Sequence, residues 1–428
     1  MSTSRTYLDH NATAPLLPEA RAAMLAVFGF VGNASSVHAE GRRARETVEV
    51  ARERVAALVG SKAEEVIFTS GATEANNCVV RGGWDRIFAG ATEHDSVLAP
   101  ARACMSDVIE LDCDAHGRIA LDPIAGAVSA PDPYPRRAGG RGTSHARGLV
   151  SIHFANSETG VIQPIAEAVQ VARSFGCHVH SDAVQAVGRV QVDFRALGLD
   201  FMSISAHKLG GPTGVGALVI RDGLELQPLL AGGGQERRRR SGTENVAGIA
   251  GFGAAAQAAA EGLGAMDRVA RLRDLLEAGV KGLSPEAVVI GSSRSRLPNT
   301  SCIALPGGDA PTLLIQLDLA GIAVSAGSAC SSGKIGGSHV LAAMGIESGL
   351  ARSAIRVSLG HTTTEKDVER FIAAWEKIQR PRHGRIHNKI ASGTIPTGAV
   401  LLETPPTETL PTEIGAKALA GAVGTAGV

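Results

Sequence analysis

Short apolar runs that pass at once into a glycine-bearing turn and then a helix constrain this chain most. Val66-Ile67-Phe68-Thr69 leads straight into Ser70-Gly71-Ala72-Thr73-Glu74-Ala75-Asn76, which reads as strand, turn and helix start. The same rhythm returns at Ile87–Ala89, with a helix after Glu93-His94, and at Val108–Leu111 and Leu149–Phe154. A helix over 165–175 then leads to Cys177–Asp182, and Phe201–Ile204 forms another strand. Strands alternating with helices predict an α/β domain with a largely parallel sheet. A glycine between strand and helix also bares backbone N–H groups to an anion, and Thr73 adds a hydroxyl. An ordinary N-capped turn is the alternative reading at that point.

The next stretch, Ser203-Ile204-Ser205-Ala206-His207-Lys208-Leu209-Gly210-Gly211-Pro212, sets a lysine at a strand exit between a histidine and small residues. Desolvation there would lower the pKa of its ammonium and make it an amine nucleophile. The fitting chemistry is a Schiff base with a carbonyl cofactor, of which pyridoxal phosphate is the common one. Ser205 and His207 would then reach the cofactor phosphate. A surface lysine beside a loop histidine remains the competing reading. Asp182 closes the strand in Cys177-His178-Val179-His180-Ser181-Asp182, on the ligand side of an open α/β sheet. A carboxylate there could hold a pyridine nitrogen protonated, or it could simply N-cap the following segment.

Beyond residue 260 the texture changes to α+β, with strands at Thr300–Leu305, Ile322–Val324 and Ala354–Leu359 and helices over 309–320 and 364–380. A helical block from Thr243 to about Leu283 joins the two parts. Ser325 to Ser338 is almost wholly Gly, Ser and Ala around Cys330. A thiol in such a poorly buried run reads as reactive, whereas Cys302 in an apolar run reads as structural. The predicted organisation is an N-terminal arm (1–15) joining the small domain, a large domain (16–260), a small C-terminal domain carrying the cysteine loop (261–380), and a flexible tail (381–428) without Phe, Trp or Tyr. Residues 131–148 and the arginine run 237–240 read as surface loops, the latter carrying an anion or substrate contact.

Charge balances, 42 Lys+Arg against 42 Asp+Glu, which points away from nucleic acid and anionic membranes. Six cysteines without a CxxC pair suggest free thiols in a reducing compartment. No apolar run is long enough to span a bilayer. The expectation is a cytoplasmic protein without a metal site.

Ten motifs occur together and in order: YLDHNATAP, GNASSVHAEGR, IFTSGATEANN, TEHDSVL, ANSETGVIQP, HSDAVQAVG, SISAHKLGGPTGVGAL, GGGQERRRRSGTEN, SAGSACSSGK and SAIRVSLG. Over roughly residues 5–380 the chain resembles the cysteine desulfurases, the NifS/IscS-like branch of the class V aminotransferases. The resemblance implies a fold-type I architecture with a mostly parallel central sheet, a homodimer, and pyridoxal 5'-phosphate on Lys208. It implies that Asp182 pairs with the pyridine nitrogen, His94 stacks on the ring, and Gln185 and Ser157 approach the ring hydroxyl. Ala72, Thr73, Ser205 and His207 would hold the phosphate, with Thr243 added by the partner subunit. Arg356 would clamp the substrate carboxylate, with Asn33 nearby.

The implied reaction converts L-cysteine to alanine and leaves the sulfur as a persulfide on Cys330, for a sulfur acceptor or iron–sulfur scaffold protein. A selenocysteine lyase or another class V enzyme is the alternative activity, and a non-catalytic cofactor-binding scaffold is the third reading. Three departures stand out. Ser157 occupies the place of a usual second Asn, Ala34 that of a Pro, and nothing beyond about Arg380 has a counterpart.

Overall fold

The computed structural model describes residues 5–129, 147–327 and 337–391. The chain opens with a short strand, β1 (Thr6–Tyr7), then helices α1 (Pro18–Phe28) and α2 (Ala39–Leu58). The alternation begins with β2 (Val66–Thr69), α3 (Ala72–Val80), β3 (Arg86–Gly90), α4 (Asp95–Ala103), β4 (Asp107–Leu111) and α5 (Asp122–Ser129). It continues through β5 (Gly148–Ser151), α6 (Ile165–Ser174), β6 (His178–Asp182), the short α7 (Phe194–Leu197), β7 (Phe201–Ser205) and β8 (Gly216–Ile220). These strands form a sheet in the order β2-β8-β7-β6-β5-β3-β4. From β7 to β4 every pairing is parallel, while β8 runs antiparallel to both β7 and β2.

The expected parallel sheet is therefore present, with an antiparallel edge. The reason lies in the connections: β7 and β8 are joined by residues 206–215 alone, a link too short for the crossover that parallel neighbours require. Strands β5, β7 and β8 are buried along their whole length, as expected for a sheet covered on both faces. Ile67, Ile87, Leu149, Phe201 and Leu218 pack into one apolar cluster, and Phe68, Phe88, Val150, Met202 and Val219 into another. Adjacent residues thus face opposite sides of the sheet.

The helical block expected from Thr243 to about Leu283 consists of two helices, α8 (Val246–Gly262) and α9 (Met266–Leu283), separated by a tight turn at Leu263–Ala265. Glycine at 262 and 264 weakens helix continuity there. Then follow β9 (Val288–Ile290), β10 (Thr300–Ala304), α10 (Ala310–Leu319), β11 (Ile322–Ala323), β12 (Ser325–Ala326), α11 (His339–Ala343), α12 (Ser348–Arg352), β13 (Ile355–Ser358) and α13 (Glu365–Ala391). Strands β12-β13-β10-β9 make an antiparallel sheet with its own core, in which Leu8, Leu276, Ile355, Phe371 and Trp375 meet.

The compact unit containing both sheets ends at Gln379. Helix α13 runs on to Ala391, eleven residues into the stretch expected as a tail. The rest of that stretch lies outside the described residues.

Candidate active site

The carboxyl ends of the parallel strands open into one cavity of about 350 Å³. Of the residues singled out from the sequence, Ala72, Thr73, His94, Ser157, Asp182, Gln185, Ser205, His207 and Lys208 all line it. Local structure explains the convergence. Asp182 and Ser205 are the last residues of β6 and β7, Thr73 lies in the first turn of α3, and His94 is the N-cap of α4. Lys208 follows β7 by a single tight turn.

At one end, α3 begins at Gly71 without any side chain capping it. Its first backbone N–H groups therefore face the cavity beside Ser205 and His207. The His207 imidazole is pushed down to about 4 by burial, with the neighbouring Lys208 and Arg189 charges adding to the effect. It is neutral at pH 7 and its Nδ1 lies 3.2 Å from the Thr13 hydroxyl. Lys208 Nζ donates to the backbone oxygens of Asn11 at 2.6 Å and Ala12 at 2.7 Å.

Asp182 is buried, and each of its carboxylate oxygens accepts one hydrogen bond: Oδ1 from Val184 N–H at 3.0 Å, Oδ2 from Asn76 Nδ2 at 2.7 Å. Gln185 donates to Asn11 O at 3.2 Å and accepts from the Arg189 guanidinium. Arg189 itself is buried on carbonyl oxygens of Gln185 (2.7 Å) and His10 (3.3 Å). Burial, helped by the Arg356 charge, pushes it down to about 9.

Three named residues do not line the cavity. Arg356 is fully buried on β13 and committed to Asp9 Oδ1 at 2.9 Å and Ser157 O at 3.2 Å. Asn33 is exposed, its Oδ1 taking the Ser35 N–H at 2.9 Å. Thr243 is exposed. Cys330 lies outside the described residues. Both described flanks of its segment reach the cavity, however: Gly327 and His339 line it, and Ser338 Oγ donates to Glu158 Oε2 at 2.5 Å.

The structure also brings in residues that motif reading did not weigh. Glu158 is buried, and that burial pushes its carboxyl up. Glu93 and His153 face each other with Oε1 and Nδ1 3.7 Å apart. Neither Glu93 oxygen and neither His153 ring nitrogen has a hydrogen-bond partner among the described residues. Buried polar atoms of that kind are normally satisfied, so this wall of the cavity is built to meet a polar group.

The arginine run is the other surprise. Glu236 is drawn into the core, accepting from Arg52 Nη1 and Nη2 at 2.7 and 2.9 Å and from Phe68 N–H at 2.9 Å. Arg240 pairs with Glu74 at 3.0 Å, and Arg237 and Arg238 are exposed.

An uncapped helix start, an amine and a buried acid thus converge on one cavity of a doubly covered sheet, as in an α/β enzyme. The chain belongs to the class-V aminotransferase family, matching it over residues 6–371. It is 41% identical to the IscS-like cysteine desulfurase of Mycobacterium tuberculosis over 379 residues, 85% of this chain and 93% of that protein. It is 40% identical to a cysteine desulfurase of Cereibacter sphaeroides over 380 residues, 86% of this chain and 94% of the other. Among solved structures, a NifS-like protein from Rickettsia africae superposes with a TM-score of 0.79 at 35% identity, covering 87% of this chain and 99% of that one. The fold-type I architecture expected from the motifs is thus the fold observed.

Proposed function

We propose that this protein is a pyridoxal-phosphate-dependent cysteine desulfurase, working as a cytoplasmic homodimer on L-cysteine and passing the sulfur to an acceptor such as an iron–sulfur scaffold protein. One observation carries the reading: the uncapped N-terminus of α3, the Lys208 amine and the Asp182 carboxylate line the same cavity. Pyridoxal phosphate carries a phosphate, an aldehyde and a ring nitrogen, and the three protein features match those groups one for one. Ala72, Thr73, Ser205 and His207 would hold the phosphate, with Thr243 of a second copy completing it, and His94, Gln185 and Ser157 would contact the ring. Bound there, the cofactor supplies an electron-withdrawing ring that stabilises negative charge at the substrate Cα.

The chain's own residues do the rest. Lys208 Nζ takes and returns the proton at Cα, a transfer worth about 10²–10⁴-fold in rate. Asp182, already accepting from Asn76 and Val184, has lone pairs left for a protonated ring nitrogen. Arg356, with Asn33 nearby, would bind the substrate carboxylate, which requires its guanidinium to turn from Asp9. Cys330 Sγ forms the S–S bond as the substrate Cβ–S bond breaks, and a proton delivered to Cβ completes alanine. Cysteine plus thiol gives alanine plus persulfide, so no outside oxidant or reductant is needed. The named relatives favour this reading over a selenocysteine lyase.

The deciding experiment supplies L-cysteine to the holoenzyme and measures alanine, with mass spectrometry of the Cys330 peptide. Equimolar alanine and added sulfur on that peptide are expected. Alanine without protein-bound sulfur would favour a lyase, and neither product would leave a non-catalytic binding protein. In parallel, Lys208→Ala is expected to lose the visible absorption band of the loaded protein and alanine formation together.

A further inference from the structure

Asn76 sits in α3, fully buried, and no motif role accounts for it. Its amide nitrogen donates in two directions, to Asp182 Oδ2 at 2.7 Å and to Ser96 Oγ at 2.8 Å. Ser96 Oγ lies 2.8 Å from His94 Nδ1, and the Ser96 backbone N–H donates to the same ring nitrogen at 3.0 Å. The proton bookkeeping along this chain has one solution. Flipping the Asn76 amide would set its oxygen against the Asp182 carboxylate, so both N–H groups must point outward. Ser96 Oγ then accepts from Asn76, which leaves its own hydrogen for His94 Nδ1. A ring nitrogen receiving an O–H and an N–H carries no proton, which assigns the ring hydrogen of His94 to Nε2. Asn76 Oδ1 is left buried without a partner among the described residues. The amide has forgone an acceptor contact to make two donor contacts, which marks those two as the ones the fold is built around. Asn77 steadies the link, donating to Ser96 O at 3.2 Å.

We propose that Asn76 and Ser96 are positioning residues that couple the Asp182 carboxylate to the His94 imidazole, so that the charge state of the acid tunes the strength of the hydrogen bond that His94 Nδ1 receives from Ser96 Oγ. On the desulfurase reading, which gives the coupling its value in turnover, these are the acid at the ring nitrogen and the imidazole over the ring. A change in charge at Asp182 would thereby alter the hydrogen-bonding power of His94 without either side chain moving.

The test is ¹⁵N NMR of the histidine-labelled protein without cofactor. In the wild type, His94 is expected to show a pyridine-type Nδ1 and a protonated Nε2. Asp182→Asn should shift the Nδ1 signal, and in an Asn76→Leu background that response should be lost. Ser96→Ala cuts the same chain one link later, leaves α3 untouched, and should abolish the response too. A protonated Nδ1 in the wild type, a His94 signal indifferent to Asp182→Asn, or a response that survives both cuts would overturn the coupling. The measurement stands apart from turnover: absence of alanine formation by the wild type would strike the desulfurase reading and leave the coupling decided on its own signal.

Discussion

Ser338 and Glu158 meet at 2.5 Å, and the same carboxylate oxygen, Oε2, lies so close to Gly327 that a Cβ there would come within 2.2 Å of it. One buried carboxylate thus touches both described flanks of the segment carrying Cys330. Gly327→Ala would push the carboxylate off Ser338 and strand a buried acceptor, at a cost of about 1–3 kcal/mol. A melting temperature several degrees below wild type, with sulfur transfer reduced more than cofactor binding, is expected from calorimetry and persulfide assays. Full transfer at wild-type stability would mean that Glu158 does not set the flanks.

Four of the other five thiols are set apart from Cys330 by their burial. Burial pushes Cys302 up to about 12 and Cys113 up to about 11, and raises Cys78 and Cys177. Thiols held protonated are poor nucleophiles. Cys330→Ser should therefore bind pyridoxal phosphate normally yet form neither catalytic alanine nor persulfide. Single substitution of Cys302 or Cys113 should leave persulfide in place. Added sulfur found on Cys302 in the wild type would contradict this order of reactivity.

Glu236 anchors a strained turn. Glu236, Arg237 and Arg238 take φ of 43°, 59° and 66°, a left-handed run that costs non-glycine residues roughly 1–3 kcal/mol each. The bidentate pair with Arg52 holds it. Glu236→Ala takes the bidentate partner from the buried Arg52 guanidinium and leaves it the Val66 carbonyl at 2.8 Å and the Glu49 carboxylate at 3.2 Å. Leaving a buried charge wholly uncompensated costs about 3–5 kcal/mol, so a loss toward the lower end of that range is expected. Urea unfolding should show a loss of that order, whereas Arg237→Ala, at an exposed site, should be nearly silent. Equal midpoints for Glu236→Ala and wild type would show that the turn holds without its anchor.

His180 predicts a specific acid sensitivity. It is fully buried, with ring nitrogens 2.8 Å from Ser151 Oγ and 3.0 Å from Ser203 Oγ, and burial pushes it down to about 4. Between pH 6.5 and 4 the unfolded chain binds a proton that the folded chain refuses, so stability present above 6.5 is lost as pH falls, up to ~3 kcal/mol. His180→Asn should flatten that limb by about one proton in the slope of unfolding free energy against pH. An unchanged slope would mean that the buried imidazole does not titrate on unfolding.

Much of this was legible because the site hangs on strand ends. Asp182, Ser205 and Lys208 could be placed from short apolar runs followed by polar residues, and the helix start at Ala72 from a glycine. Asn76 could not, since nothing in a helix interior announces that one amide will be buried against an acid 106 positions away. Arg189 carries no such signal in the sequence and is held on carbonyl oxygens, a fate decided by the N-terminal residues that cover it. The Glu93–His153 pair depends on two strands becoming neighbours. Local pattern specifies elements, while the burial of polar groups is settled by which elements meet.

The arm at residues 6–13 gives the last consequence, one of timing. Asn11 and Ala12 supply the oxygens that hold Lys208 Nζ, Asp9 takes Arg356, and β1 pairs with β11. These are the first described residues to leave a ribosome, yet Arg356 lies 347 positions downstream of Asp9. At 5–20 residues per second Arg356 emerges roughly 20–70 s after Asp9, and Lys208 about 10–40 s after Asn11. Until Arg356 and β11 are made the arm lacks two of its docking partners, so a chain that stops short of them cannot complete the arm's contacts. Docking of the arm over Lys208 and Arg356 is thus a late event, completed only once nearly all of the described chain has been made.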